Sequence, residues 1–172
     1  AIDEAIDLLN KAERPVVVAG SGAFWSGADR ALRNFVEKSG IPVFTRNNGR
    51  GTVPDDHPLS FGASALSGLF KADTALIVGT QLDFTLASGK FPAQMKMIRV
   101  DIDASALGHN RDVDVGIVGD AKVVLEQLTS GIKHQPRKEW VESLAASRKK
   151  RVEKRREFDE SDMKPIHPLR LL

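Results

Sequence analysis

The chain holds 172 residues, 41% of them hydrophobic and 28% charged, with 14 Gly, 8 Pro and no Cys. That composition suits one globular core and excludes collagen-like, low-complexity and disulfide-stapled classes, while the lack of cysteine removes thiol catalysis, thiolate zinc sites and iron–sulfur clusters and fits a cytoplasmic protein. The net charge is +2, yet residues 1–132 carry −3 and residues 133–172 carry +5, so the basicity belongs to a tail, and neither a nucleic-acid partner nor a membrane (which needs an apolar run of ~20 residues) is expected.

In chain order, Ile2, Ala5, Ile6 and Leu9 fall at helical spacing and predict an amphipathic helix, stopped by Glu13-Arg14-Pro15 because proline lacks an amide hydrogen. Val16 to Ala19 reads as a buried strand leading into Gly20-Ser21-Gly22. Ser26 to Asp29 predicts a helix start with Ser26 as capping oxygen, an inner stripe of Ala28, Ala31, Leu32, Phe35 and Val36, and Gly40 as its end. Ile41 to Thr45 predicts a strand, and Ala63, Leu66, Leu69 and Phe70 share one helical face. Thr74 to Val78, Met97 to Asp101 and Val115 to Val118 predict three more strands, the last followed by a helix carrying Ala121, Val124, Leu125 and Leu128.

Strands alternating with helices predict an α/β fold: a three-layer, doubly wound, mostly parallel sheet of five or six strands. Residues 1–132 are expected to form this domain, and residues 133–172 a charged helix around Trp140, Val141, Leu144 and Ala145 followed by a linker. The run from Arg148 to Glu160 reads as a solvated, ion-paired helix, with a phosphate-binding arm as the second reading. Ala1 at the start and the apolar ending Pro165 to Leu172 predict a segment of something longer.

In doubly wound folds ligands sit at the carboxyl ends of the strands. The first such loop, Gly20 to Gly27, departs from the G-x-G-x-x-G dinucleotide fingerprint, because Trp25 stands at the third glycine position and Thr45-Arg46-Asn47 replaces the ribose-binding acid after the second strand. Gly22 to Gly27 has phosphate-loop spacing, but Ala28-Asp29 stands where Lys-Ser/Thr would meet phosphate and magnesium. The fold is therefore Rossmann-like without the fingerprint. Asp101-Ile102-Asp103 ends a strand, where one carboxylate can accept both hydroxyls of a ribose while the other caps the following turn. Gly119-Asp120-Ala121 reads first as a helix cap and second as a backbone contact for an adenine edge. Asp55-Asp56-His57 is too tightly spaced for convergent metal ligands, and His109, His134 and His167 stand singly in polar contexts. No nucleophile elbow or zinc-protease motif occurs, so no catalytic residue is expected in the chain.

Four blocks in order carry a resemblance: ERPVVVAGSGAFWSGA, GRGTVPDDHPLSFGA, ADTALIVGTQLDF and MIRVDIDASALGHNRDVDVGIVGDAKVVLEQL. Together, over about Ile2 to Leu128, the chain resembles the central domain of thiamine-diphosphate-dependent enzymes, the group holding acetolactate synthase, benzaldehyde lyase, oxalyl-CoA decarboxylase and 2-hydroxyacyl-CoA lyase. The closing PIHPLRLL is similar to the start of that group's third domain. The resemblance implies a lyase or transferase acting at a carbon–carbon bond beside a carbonyl, with thiamine diphosphate and Mg2+ held by N- and C-terminal domains outside this chain. It implies an architectural central domain in a homodimer or homotetramer, inert by itself, which in some members takes FAD, ADP or CoA. By motif position, its nucleotide contacts are Gly20, Ser21 and Gly22, then Gly79, Thr80 and Gln81, then Asp101, Ile102 and Asp103, then Gly119, Asp120 and Ala121. A stand-alone nucleotide-binding module and a non-catalytic scaffold are the alternatives.

Two departures bear on the ligand. Many members carry Arg in a G-A-R pattern after the third strand, and Gly79-Thr80-Gln81-Leu82 lacks that bidentate phosphate clamp. The Met- and His-containing loop of flavin-binding members is absent from GASALSGLFKAD, whereas Phe84 to Pro92 is closer to the acyl-CoA branch.

Overall fold

The apolar runs become strands and the periodic segments become helices in a computed structural model that describes residues 1–62, 65–159 and 163–166. Helix α1 spans Ile2–Lys11, β1 Pro15–Ala19, α2 Ser21–Trp25, α3 Asp29–Ser39, β2 Val43–Thr45, α4 Ala65–Leu69 and β3 Thr74–Val78. There follow β4 Lys96–Asp101, β5 Val115–Val118, α5 Ala121–Gly131 and α6 Lys138–Asp159. Ala63 of the expected fourth helical face, and His167 to Leu172 of the apolar ending, lie outside the described residues.

The five strands form one parallel sheet in the order β2-β1-β3-β4-β5. The order reverses between β1 and β3, which makes the carboxyl ends of those two strands the topological switch point. Alternate residues of each strand enter opposite layers. Val17, Ala19, Leu76, Val78, Ile98 and Val100 face a core closed by Ala5 and Leu9 of α1, Leu32 and Phe35 of α3, and Leu125 and Leu128 of α5. Val16, Val18, Ala75, Ile77 and Met97 face a second core closed by Leu69 of α4, by Leu82, Leu86, Phe91 and Met95 of the β3–β4 connection, and by Trp140 and Leu144 of α6. The fold is the three-layer, doubly wound α/β arrangement that the alternation predicts, with five strands, all parallel. β5 lies at the sheet edge, so its second face is only partly covered and Val118 is 56% exposed.

Four local differences have physical causes. Ser26 does not cap α3. It ends α2, a short helix absent from the expected elements, and Ala28 precedes α3 without a side-chain cap. The turn of α2 carries Ser26 to the start of α5, where its Oγ accepts from the Lys122 N–H (2.8 Å) and donates to Asp120 Oδ1 (3.2 Å). β2 begins at Val43 and not at Ile41, because Pro42 has no N–H for the ladder. Phe70 does not point inward but is 46% exposed and meets Phe91 edge-on at 5.5 Å. The first turns of α6, expected as part of a charged tail segment, are anchored in the second core, with Trp140 buried and its Nε1–H donating to the Pro15 carbonyl (3.0 Å).

The start of α6 is also tied to the opposite core. The guanidinium of Arg137 donates to Leu9 and Ala12 at the end of α1, to Ser39 at the end of α3, and to Gln135. These are carbonyls that a helix end leaves without an internal partner. Arg99 of β4, almost fully buried, donates through Nη1 to the His109 carbonyl and so holds the loop after β4 over the second core.

Candidate nucleotide cleft

The loops at the carboxyl edge of the sheet converge on two adjoining clefts. One, about 310 Å³, is lined by Gly22, Trp25, Ser26, Gly79, Val100 and the segments Asp101-Ile102 and Gly119-Asp120-Ala121. The other, about 360 Å³, is lined by Ser21, Gly22, Asn47, Gly79, Thr80, Gln81, Asp83 and Asp101. The expected contact residues therefore come together, except Gly20 and Asp103.

Gly20 is consumed by packing. A Cβ on it would lie 2.4 Å from Thr80 Cβ, and one on Gly22 would lie 2.6 Å from Gly79 Cα. The first and third loops thus touch backbone to backbone across the switch point, and close approach alone accounts for these glycines. Asp103 turns away: it is the cap of the 3-10 turn Ala104–Ala106, accepting from the Ser105 N–H and hydroxyl, both at 2.8 Å. Those bonds from Ser105 hold its carboxyl below the ordinary aspartate value. Asp101 lines both clefts, and one of its oxygens accepts the Asp103 N–H at 3.2 Å. Asp120 caps α5, taking the Lys122 and Val123 N–H groups as well as the Ser26 hydroxyl, so that helix start is already satisfied.

Two large apolar side chains flank the smaller cleft and remain open to solvent, Trp25 at 74% and Ile102 at 73% exposure. Phe24 holds the indole edge-on at 5.0 Å. A planar ring would find an aromatic face and an aliphatic one here, with the Asp101 carboxylate close by. Trp25 was legible in the sequence only as the residue that breaks the fingerprint.

Arg46 borders the third loop from another strand. The position after the third strand lacks its arginine, but Arg46, from the end of β2, reaches the same loop with its side chain 11% exposed. It contacts Thr80 Oγ1 (3.5 Å) and Asp83 Oδ1 (3.4 Å) and donates to the Thr85 hydroxyl. The Asp83 carboxyl is held below its ordinary value, first by the Thr85 hydroxyl, against the upward push of partial burial, then by the Arg46 charge and the Thr85 and Leu86 N–H groups. Because the folded value is depressed, the stability it contributes is present above the unfolded value of 3.8 and lost as pH falls through the lower folded value. Asp83→Asn is expected to flatten the acid limb of a thermal-stability profile below pH 3.8. An unchanged limb would show the carboxylate to be thermodynamically idle.

Among the described residues no group of three or more His, Asp or Glu side chains is placed to hold a metal, and no helix is long and apolar enough to cross a membrane. His57 instead accepts the Leu59 N–H (3.2 Å) and faces Glu37 at 3.6 Å.

Residues 2–128 match the family described as thiamine pyrophosphate enzyme, central domain. The chain belongs to that family. It is 38% identical over 176 residues to an acetolactate synthase large subunit of Mycobacterium tuberculosis, covering 99% of this chain and 31% of the relative. A 2-hydroxyacyl-CoA lyase of Oryza sativa subsp. japonica is 37% identical over 182 residues (99% of this chain, 31% of the relative). An oxalyl-CoA decarboxylase of Escherichia coli K12 is 32% identical over 172 residues (97% and 30%). The chain therefore spans about a third of the length of these relatives, and the expected family stands.

Proposed function

We propose that this central domain serves a larger thiamine-diphosphate-dependent enzyme, a lyase or transferase that makes or breaks a carbon–carbon bond beside a carbonyl, and that its clefts take the ADP part of CoA or FAD. Thiamine diphosphate, with Mg2+, supplies the electron sink for such chemistry when bound, and the reading assigns its binding to domains outside this chain. The observation that carries the nucleotide reading is Asp101, a carboxylate on both clefts beside the exposed faces of Trp25 and Ile102. Asp101 would accept the ribose hydroxyls, Trp25 and Ile102 would sandwich the base, and the Gly119 to Ala121 backbone would meet its edge. The parent is taken to be a cytoplasmic homodimer or homotetramer.

A scaffold with an idle cleft is the second reading. It is favoured by the glycine contacts at the switch point, which packing explains without any phosphate.

Thermal melts against ADP, CoA, FAD and NAD separate the two. A ligand at 100 times its Kd raises stability by about 2.7 kcal/mol. Asp101→Ala is expected to remove the ADP and CoA shifts, while Asp103→Ala, which loses only a turn cap, retains them. No shift with any nucleotide would leave the scaffold. Turnover of pyruvate or oxalyl-CoA is expected from the full-length protein with thiamine diphosphate and Mg2+ and not from this chain; full-length protein inert toward pyruvate, 2-hydroxyacyl-CoA and oxalyl-CoA would overturn the enzyme reading.

A further inference from the structure

A third cleft, of about 390 Å³, opens beside the edge strand β2 and shares no residue with the nucleotide clefts. Its walls are Thr45 at the end of β2, the segment Ser60-Phe61-Gly62, Arg50 and Asp55 of the preceding loop, and Arg148 of α6.

Two features of its walls are unexplained by the fold. Thr45 and Ser60 are 5% and 2% exposed, and neither hydroxyl has a hydrogen-bond partner among the described residues. A buried hydroxyl without a partner is destabilising, so two of them on one cleft call for a ligand. The guanidinium of Arg148 is exposed on its helix and reaches the same cleft, where Nη1 donates to the Ser60 carbonyl at 3.2 Å. Its remaining N–H groups have no protein acceptor among the described residues. The carboxylate on the rim, Asp55, is already matched by Arg50 through bonds of 3.1 and 2.8 Å. The walls set two partnerless hydroxyls just behind the cleft surface and one fork of N–H donors on it, the chemistry of oxyanion recognition. Gly62 completes the opening, since a Cβ there would stand 3.6 Å from Thr45 Oγ1 and occupy space now empty.

We propose that this cleft binds the oxyanion of a small molecule, a phosphate group or a carboxylate, through Thr45, Ser60 and Arg148. The basic run of α6 thereby acquires a role at its first residue.

The test is calorimetric titration of the full-length protein with inorganic phosphate, and separately with acetate, at constant ionic strength made up with chloride. Phosphate or acetate is expected to bind to the wild type, whichever binds more tightly identifying the preferred group. Arg148→Gln, an exposed change that leaves the core alone, is expected to weaken that binding about tenfold or more through loss of a charge-assisted contact. Gly62→Ala, which meets nothing closer than 3.5 Å, is expected to block it. Thr45→Val is expected to abolish it and to raise the melting temperature without ligand, because it removes a partnerless buried hydroxyl at constant shape. All three variants keep the ADP shift attributed to Asp101. Failure of both anions to bind the wild type, equal binding by wild type and variants, or loss of the ADP shift in Thr45→Val would each overturn a separate oxyanion site here.

Discussion

Gly79→Ala is expected to destabilise the chain by about 3 kcal/mol, lowering the melting temperature by roughly 6–12 °C. Two costs coincide at this residue. Its φ of +56° lies in the left-handed region, where a Cβ costs about 1–2 kcal/mol. The same Cβ would lie 2.6 Å from Gly22 Cα and 2.9 Å from the Ala23 nitrogen, backbone atoms that move only if the β1 loop moves. Relaxation would push α2 outward and carry Trp25 with it, so any nucleotide shift should fall together with stability. Gly27→Ala is the control: its φ is +62° but a Cβ there would meet nothing within 4 Å. It is expected to cost only the backbone part, about 1 kcal/mol. Equal melting temperatures for the two variants would show that the switch-point contact is soft.

Arg137→Ala is expected to cost about 3 kcal/mol for a different reason. The side chain donates at 2.9 Å to both Leu9 and Ala12 and at 3.3 Å to Ser39, so one guanidinium satisfies the ends of α1 and α3. Its removal takes the side-chain donor from the Leu9 and Ala12 carbonyls and leaves Ser39 only the Gln135 N–H at 3.4 Å, beside an open cleft of about 1070 Å³ next to α6. Burial pushes the Arg137 pKa below its ordinary value, opposed by the charge of Asp73, yet it stays protonated at physiological pH. The loss is therefore expected to be flat with pH near neutrality. Arg137→Lys should recover little of it, because an ammonium is a point donor and cannot span carbonyls on two helices. A melting temperature within error of wild type for Arg137→Ala would show that water replaces the fork without penalty.

These two residues mark different kinds of information in the chain. Gly79 stands at the end of Thr74 to Val78, an apolar run that reads as a buried strand without reference to anything distant. Its glycine marks the strand end, but nothing near it in sequence announces Gly22 as the reason. Arg137 lies just where the composition turns basic and reads as the edge of a charged tail. Only the approach of α1 and α3 makes it an interior donor, as only the second core makes Trp140 an anchor.

The same division runs through the candidate site. Asp101, Ile102 and Asp103 are visible as acids ending a strand, since strand ends meet the cleft in any parallel sheet. Which acid faces the cleft depends on the turn that follows, and Ser105 draws Asp103 away from it. Ser26 is visible as a capping oxygen, but the helix it supports is α5, 94 positions away at Asp120. Arg46 is visible as a departure at the end of β2, and its meeting with Thr80 and Asp83 follows from β2 and β3 flanking β1.

Local periodicity, glycine and proline punctuation and the order of apolar runs thus determined the α/β class and the parallel sheet, because each rests on interactions within a few residues or on alternation along one strand, while the family was legible only through the resemblance of four ordered blocks. The tertiary structure alone decided the strand order, the glycine contact at the switch point, the cleft-facing acid and the partnerless hydroxyls of Thr45 and Ser60. Each of these depends on which distant segments the hydrophobic cores press together, and on which polar groups that compression leaves without water.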